Sequence, residues 1–300
     1  MSSRGPAQTL PASTDRIRAD IDAMFTALLS EPEDQSARLF EAMRYAALGG
    51  KRLRPLLTIA SANLFGVPES YSLWAGLAAE CVHVHSLIHD DLPCMDDDDL
   101  RRGRPTVHCA FDEATAVLAG DALLALAFEI LADPATHPSA EVRAHLTVEL
   151  ARASGACGMA GGQMIDLIAE GIDLDLDGIT RLQRLKTGAL INWCVDAGAI
   201  LGEAPADHRL SLRGYGQCLG LAFQIADDLL DCTGDEAVVG KRVGKDAAIG
   251  KATFVTLLGE ERARRQADLL VDQAIAHLHA FDQRAAQLET IARYAVNRDR

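Results

Sequence analysis

An all-α fold is predicted for this 300-residue chain by three observations. Apolar residues recur with a period near 3.6 almost throughout, alanine and leucine dominate them, and alternating β-branched runs are scarce. The periodic segments run, in order, over 39–48 (LFEAMRYAAL), 71–92, 116–131, 141–155, 189–202 and 213–231. Breakers separate them. Gly49-Gly50 closes the first, and Pro68 precedes the second while Pro93 ends it. Gly103–Pro105 and DPATHP (133–138) bracket the third, and GIDLDLDG (171–178), EAPAD (203–207) and TGDEAVVG (233–240) mark the later boundaries. The expectation is a bundle of about ten or more helices, the central ones apolar on most faces. No linker rich in Pro, Gly or Ser divides the chain. Residues 1–300 therefore read as a single domain, with residues 1–15 a flexible N-terminus.

Composition narrows the function. Apolar residues make up 49% of the chain, enough for a sizeable core. The first sixteen residues lack a basic-then-apolar run of signal type, and most apolar stretches are interrupted by charge, so no membrane span and a cytoplasmic location are expected. Seven cysteines are scattered without a CxxC pair or zinc spacing, which reads as free thiols. A net charge of −14 and the lack of a basic tract interleaved with aromatics argue against a nucleic-acid partner.

The charge is concentrated. Asp90, Asp91, Asp96, Asp97, Asp98 and Asp99 occupy ten positions after a strongly apolar helix, and Arg101, Arg102 and Arg104 follow at once. Such a cluster is costly unless cations neutralise it, and hard divalent ions with oxygen ligands suit it. Arginines beside metal-binding carboxylates make sense if the ligand is a phosphate or diphosphate. The arrangement recurs 137 residues later: Asp227, Asp228 and Asp231 follow another apolar helix, with Asp227 and Asp231 on one face, and Lys241, Arg242, Lys245 and Lys251 come next. Together the two copies would form two walls of a cavity holding a diphosphate through several Mg²⁺ ions. A third basic site lies in GGKRLRP (49–55), where Gly50 lets backbone approach an anion and Lys51 and Arg54 are three apart.

With these motifs in place, the chain resembles the trans-isoprenyl diphosphate synthases of the bacterial farnesyl/geranylgeranyl type, from about residue 40 to the C-terminus. The resemblance rests on GGKRLRP, DDLPCMD (90–96) followed by DDDLRRGRP, GGQMIDL (161–167), KTG (186–188), and FQIADDLLD (223–231) followed by GKRVGKD (240–246). It implies an isoprenoid-synthase bundle around a central cavity, a homodimer, and Mg²⁺-dependent head-to-tail condensation of isopentenyl diphosphate with allylic diphosphates. Asp90 and Asp96 would be first-motif Mg²⁺ ligands, with Asp91 part of the same carboxylate set. Asp227 would hold the remaining ion, supported by Asp228 and Asp231, for three ions in all. Arg101, Lys186 and Lys245 would clamp the allylic diphosphate, with Lys241 near it. Gly50, Lys51, Arg54, His83 and Arg102 would hold isopentenyl diphosphate. Thr187 and Gln224 would line the space where the allylic cation forms, and Phe223 would pack beside the isopentenyl group. His89 reads as structural.

Product length is set in this family five positions before Asp90, where farnesyl enzymes usually carry tyrosine and this chain has His85. Imidazole is smaller than a phenol, and Cys81 and Val82 lie one turn deeper. The expectation is closure near fifteen carbons, with a twenty-carbon product as the alternative. Three other readings fit less of the sequence. A His-Asp phosphohydrolase would leave GGKRLRP and the second aspartate motif idle. A terpene cyclase would not carry DDLLD, and a non-catalytic subunit would not need both motifs.

Overall fold

The computed structural model describes residues 13–169, 172, 174–233 and 253–297. Helices α1 (Ser13–Leu28), α2 (Ala37–Ala47), α3 (Leu53–Asn63) and α4 (Glu69–Asp90) are followed by a short hairpin, β1 (Leu100–Arg101) paired antiparallel with β2 (Arg104–Pro105). Then come α5 (Val107–Ala110), α6 (Glu113–Ala132), α7 (Ala140–Ser154), α8 (Met159–Ile168) and α9 (Leu176–Gln183). A π-helical turn (Arg184–Gly188) leads into α10 (Ala189–Leu201) and α11 (Ala206–Thr233). The chain ends in α12 (Phe254–Leu258), α13 (Glu260–Ala276), a 3₁₀ segment (His279–Ala285) and α14 (Ala286–Val296). Helix starts carry their own signals, since Asp112, Ser139 and Asp175 each accept a backbone N–H in the first turn of α6, α7 and α9.

The all-α expectation holds, and the core is one contiguous apolar cluster running from Ile17 to Ala295. Helices α3, α4, α10 and α11 form its centre. Every residue of α10 from Val195 to Leu201 is buried, and α4 is buried on most faces between Ser72 and Ile88. Two features bear on the sequence expectations. Ser13 already begins α1 and Thr14 is buried, so order starts inside the stretch expected to be flexible; residues 1–12 lie outside the described residues. Helix α6 is also long and apolar enough to cross a membrane by length and composition, although no such stretch was expected. Its apolar residues divide between a face buried on α4 and an exposed face that includes Val117 and Leu118.

One buried ion-pair network ties the N-terminal helices together. Arg52, in left-handed backbone at the start of α3, is 2% exposed. Its guanidinium meets Glu80 of α4 at 2.9 Å, Asp22 of α1, and the carbonyl of Ala47 at the end of α2 at 2.5 Å, and it lies over the Phe25 ring. Four helices thus converge on one side chain. Removing it leaves Glu80 buried without its cation. Replacing Arg52 by alanine is expected to cost about 3–5 kcal/mol, read as a lower denaturant midpoint, and a midpoint within error of wild type would show that the network is not a strut.

Candidate active site

The carboxylates at the end of α4 are placed by a reversal of the chain. Helix α4 ends where Asp91 N–H still bonds Leu87 O, and Pro93 prevents continuation. The loop then folds back, with Asp96 N–H on Asp90 O at 2.8 Å and Asp98 N–H on Asp91 O, helped by left-handed backbone at Asp97. Asp96 is thereby brought within electrostatic reach of Asp90. Burial raises Asp90 to about 6; Lys186 and Arg101 oppose this, while Asp96 and Asp91 add to it. Asp90 lines a cavity of about 840 Å³ between α3, α4, α8, the π-helical turn, α11 and α14.

Asp91 departs from the expectation that it joins the metal-binding set. It is buried and held by Arg101, whose Nε and Nη2 donate to it at 2.6–2.9 Å, so its oxygens are engaged away from the cavity. Burial pulls Arg101 down, but the bonds to Asp91 overcome it and leave the guanidinium raised. Its function here is to aim Arg101, which does line the cavity. Arg102 follows in the β1–β2 turn, where both Arg102 and Gly103 have positive φ, the geometry that suits a tight hairpin.

That turn brings Arg102 onto GGKRLRP. Gly50 has φ of +102°, which L side chains rarely adopt, and the Arg102 guanidinium lies 2.7 Å from where a Cβ would sit. Gly50, Lys51, Arg54, His83 and Arg102 all line the cavity. Arg54 Nε is buried without a hydrogen-bond partner among the described residues. Burial, followed by Arg54, Arg102, Arg101 and Arg52, holds His83 well below its usual range, so it is a neutral imidazole among cations. An arrangement of this kind awaits an anion.

Across the cavity, the π-helical turn presents Lys186 and Thr187; such turns widen the helix and redirect side chains. Gly162 of α8 makes this possible, because a Cβ there would lie 2.2 Å from Lys186 N. Lys186 Nζ reaches Asp166 of α8 at 2.5 Å. Thr187 Oγ1 donates to Gln224 Oε1 (3.1 Å), Gln224 Nε2 donates to Asp228 Oδ1 (2.9 Å), and Phe254 N–H donates to Asp228 Oδ2 (3.0 Å). Every donor in this chain points toward Asp228. Thr187 and Gln224 therefore keep oxygen lone pairs for the cavity, which suits a positive centre and offers it no acidic proton.

On the second acidic motif, Asp227 and Phe223 line the cavity with Gln224. Asp228, expected to support Asp227 directly or through water, is buried, and Gln224 and Phe254 donate to its oxygens, so it ties α11 to α12. Asp231, one turn beyond Asp227, is buried as well. Lys241 and Lys245 lie outside the described residues. His85 lies on the cavity wall, and burial, then His89, lowers it to about 4, leaving it neutral. Cys81 and Val82 are fully buried in the core and do not line the cavity, because their side of α4 packs on neighbouring helices.

Several wall residues escaped the sequence reading. Arg18, the α8 residues Met159, Gln163 and Met164, and Tyr294 of α14 all line the cavity. For α8 a signal existed, since Gln163 and Asp166 are three apart in GGQMIDL and share a helical face. Tyr294 opens YAVNRDR (294–300), a C-terminal stretch that the sequence allows either to help close the site or to form a solvated tail. As for metal, the cavity carboxylates Asp90 and Asp227, with Asp96 beside them, are an all-oxygen set of the kind hard dications take.

The polyprenyl synthetase family matches residues 36–292, and the chain belongs to it. It is a prenyltransferase of the head-to-tail type. The chain is 47% identical over 273 residues to the farnesyl diphosphate synthase of Escherichia coli strain K12, covering 89% of this chain and 91% of that one. An apo FPP/GFPP synthase from Zymomonas mobilis superposes with a TM-score of 0.87 at 55% identity, covering 95% and 97% of the two chains. A Helicobacter pylori geranyltransferase solved with magnesium and isoprenyl diphosphate superposes with a TM-score of 0.83 at 32% identity, covering 99% and 98%.

The raised Asp90 has a testable sign. Its folded-state pKa of about 6 exceeds the unfolded value, so the metal-free protein is penalised in full above pH 6 and not at all below about pH 4. Asp90→Asn should therefore stabilise the metal-free protein at pH 8 by on the order of 2–3 kcal/mol, while reducing turnover. The advantage should fade as pH falls from 6 to 4, followed by denaturant midpoints at each pH. A pH-independent difference would mean that burial does not raise this carboxyl.

Proposed function

We propose that the cavity condenses isopentenyl diphosphate with dimethylallyl and geranyl diphosphates, and that farnesyl diphosphate is its main product. One observation carries this reading: a single cavity is lined both by the carboxylates Asp90 and Asp227 and by a basic group of Gly50, Lys51, Arg54, His83 and Arg102. A reaction joining two diphosphates needs two anion sites of different chemistry, one with metal and one without.

Asp90, Asp96 and Asp227 would hold Mg²⁺, three ions with diphosphate bound. Mg²⁺, when present, would neutralise the leaving diphosphate, which is otherwise a poor leaving group. Arg101 and Lys186 bind the same diphosphate, Lys186 exchanging Asp166 for a phosphoryl oxygen, and Lys241 and Lys245 join them from the segment after α11. As the carbon–oxygen bond breaks, the Thr187 and Gln224 oxygens face the allylic cation and stabilise it by their dipoles. The basic site holds isopentenyl diphosphate so that its terminal alkene carbon attacks that cation, with Phe223 beside it. Loss of a proton to an oxygen of the released diphosphate completes the trans double bond. Met159 and Met164 help to exclude the water that would quench the cation.

Farnesyl is favoured because His85 stands on the cavity wall five residues before Asp90, bonded through Nδ1 to Gly120 O at 3.0 Å, which fixes the ring in place. A twenty-carbon product is the second reading, since imidazole is smaller than the tyrosine of farnesyl enzymes. The whole chain is read as one such domain, acting in the cytoplasm as a homodimer, and the exposed apolar face of α6 supports the dimer.

Purified protein given isopentenyl and dimethylallyl diphosphates with Mg²⁺ should yield chiefly a fifteen-carbon alcohol after dephosphorylation. His85→Ala should lengthen the product to twenty carbons or more. A wild-type product of twenty carbons would keep the mechanism and overturn the length reading. No condensation at all would overturn both.

A further inference from the structure

Helix α4 carries two histidines one turn apart, His85 and His89, and both rings lean on α6. Gly120 admits them: a Cβ at that position would lie 2.2 Å from His89 Nε2. The rings pack edge to face with centroids 4.5 Å apart. His85 gives its Nδ1–H to Gly120 O at 3.0 Å, which leaves the Nε2 lone pair free. A histidine anchored through one nitrogen to a backbone carbonyl is the usual support of a metal ligand. His89 Nε2 lies 3.8 Å from Asp121 Oδ1 on α6, and 3.1 Å from Val117 O. One ligand atom from each of His85, His89 and Asp121 falls within 4.8 Å of the other two.

We propose that His85, His89 and Asp121 form a second divalent-metal site, distinct from the aspartate cluster and selective for zinc-like transition ions. Histidines at i and i+4 on one helix face, joined by a carboxylate from another element, are a recurrent way to hold zinc. The donor set separates the two sites chemically. Imidazole suits Zn²⁺, Co²⁺, Ni²⁺ and Cu²⁺, whereas Mg²⁺ prefers the all-oxygen set next door. Ligand bonds of about 2.0–2.2 Å require the three atoms to close by less than about 1 Å, and the exposed Asp121 side chain has the rotamer freedom to do so. When His89 uses Nε2, its Nε2–H bond to Val117 O is given up and the proton moves to Nδ1, so no net charge change is needed on the ring. An ion here would also pin His85 on the cavity wall. That consequence rests on the chain-length reading; metal binding does not.

Zn²⁺ titrated calorimetrically into the full-length protein in a large excess of Mg²⁺ should show one site per chain. Asp121→Asn should weaken that site by about 10- to 100-fold while leaving Mg²⁺-dependent turnover at the wild-type level, and His89→Gln should do at least as much to Zn²⁺. Co²⁺ in the wild-type protein should give visible bands that both variants lose. Equal Zn²⁺ affinity in wild type and Asp121→Asn, or loss of all bound Zn²⁺ to excess Mg²⁺, would overturn the site and leave the prenyl-transfer reading untouched. If Zn²⁺ binds as expected and condensation is absent, the reverse holds.

Discussion

Holding ionised groups inside a helical bundle is the constraint on which this structure depends. A buried charge without a partner is far more costly than the Coulombic gain of any one surface pair. The fold meets this by pairing, and each pair also positions something. Arg52 with Glu80 and Asp22 gathers four helices. Asp196 draws Arg209 and Arg213 of α11 against α10 at 2.8–2.9 Å. Asp91 aims Arg101, and Asp166 steadies Lys186 at the cavity. What remains at the cavity is Asp90, whose carboxyl burial pushes up with Asp96 beside it, and His83, which burial and the surrounding arginines push down. These are the surroundings a metal-bound diphosphate and a free diphosphate would each complete.

Backbone strain is concentrated where those groups are aimed. Among the described residues, five non-glycine residues have positive φ, and three of them, Arg52, Asp97 and Arg102, border the cavity or its loops, while Glu203 and Asp282 lie elsewhere. Each costs free energy that an ordinary loop would avoid. In exchange, Arg52 turns inward to the network, Asp97 lets the acidic loop fold back on Asp90, and Arg102 lies across Gly50.

The polar network from Thr187 to Phe254 works on a different principle. Hydrogen bonds have direction, and a chain of donors all pointing toward one buried carboxylate leaves acceptors at its other end. Asp228 therefore matters as the sink of that chain, although its oxygens do not reach the cavity. A carboxylate that looks like a ligand in the sequence can serve the reaction by orienting an amide.

The all-α class, the helix order and the two acidic motifs with their basic followers were legible because helical period, breakers and charge clusters are local properties of the chain. Even Gln163 and Asp166 could have been read from their shared face. Which aspartate faces the cavity was not legible from local pattern, although the family resemblance put Asp90 and Asp227 first. Asp90 and Asp91 are adjacent and chemically identical, and Asp227 and Asp228 likewise. Only the packing of α4 against the hairpin, and of α11 against α12, sends Asp91 to Arg101 and Asp228 to Gln224. The contribution of Tyr294 from the far end of the chain, and the meeting of His85 and His89 with Asp121 across Gly120, depended in the same way on which helix lies beside which. Sequence determined what chemistry was present and on which helices; tertiary contact decided direction, because a side chain's neighbours come from segments that local patterning does not encode.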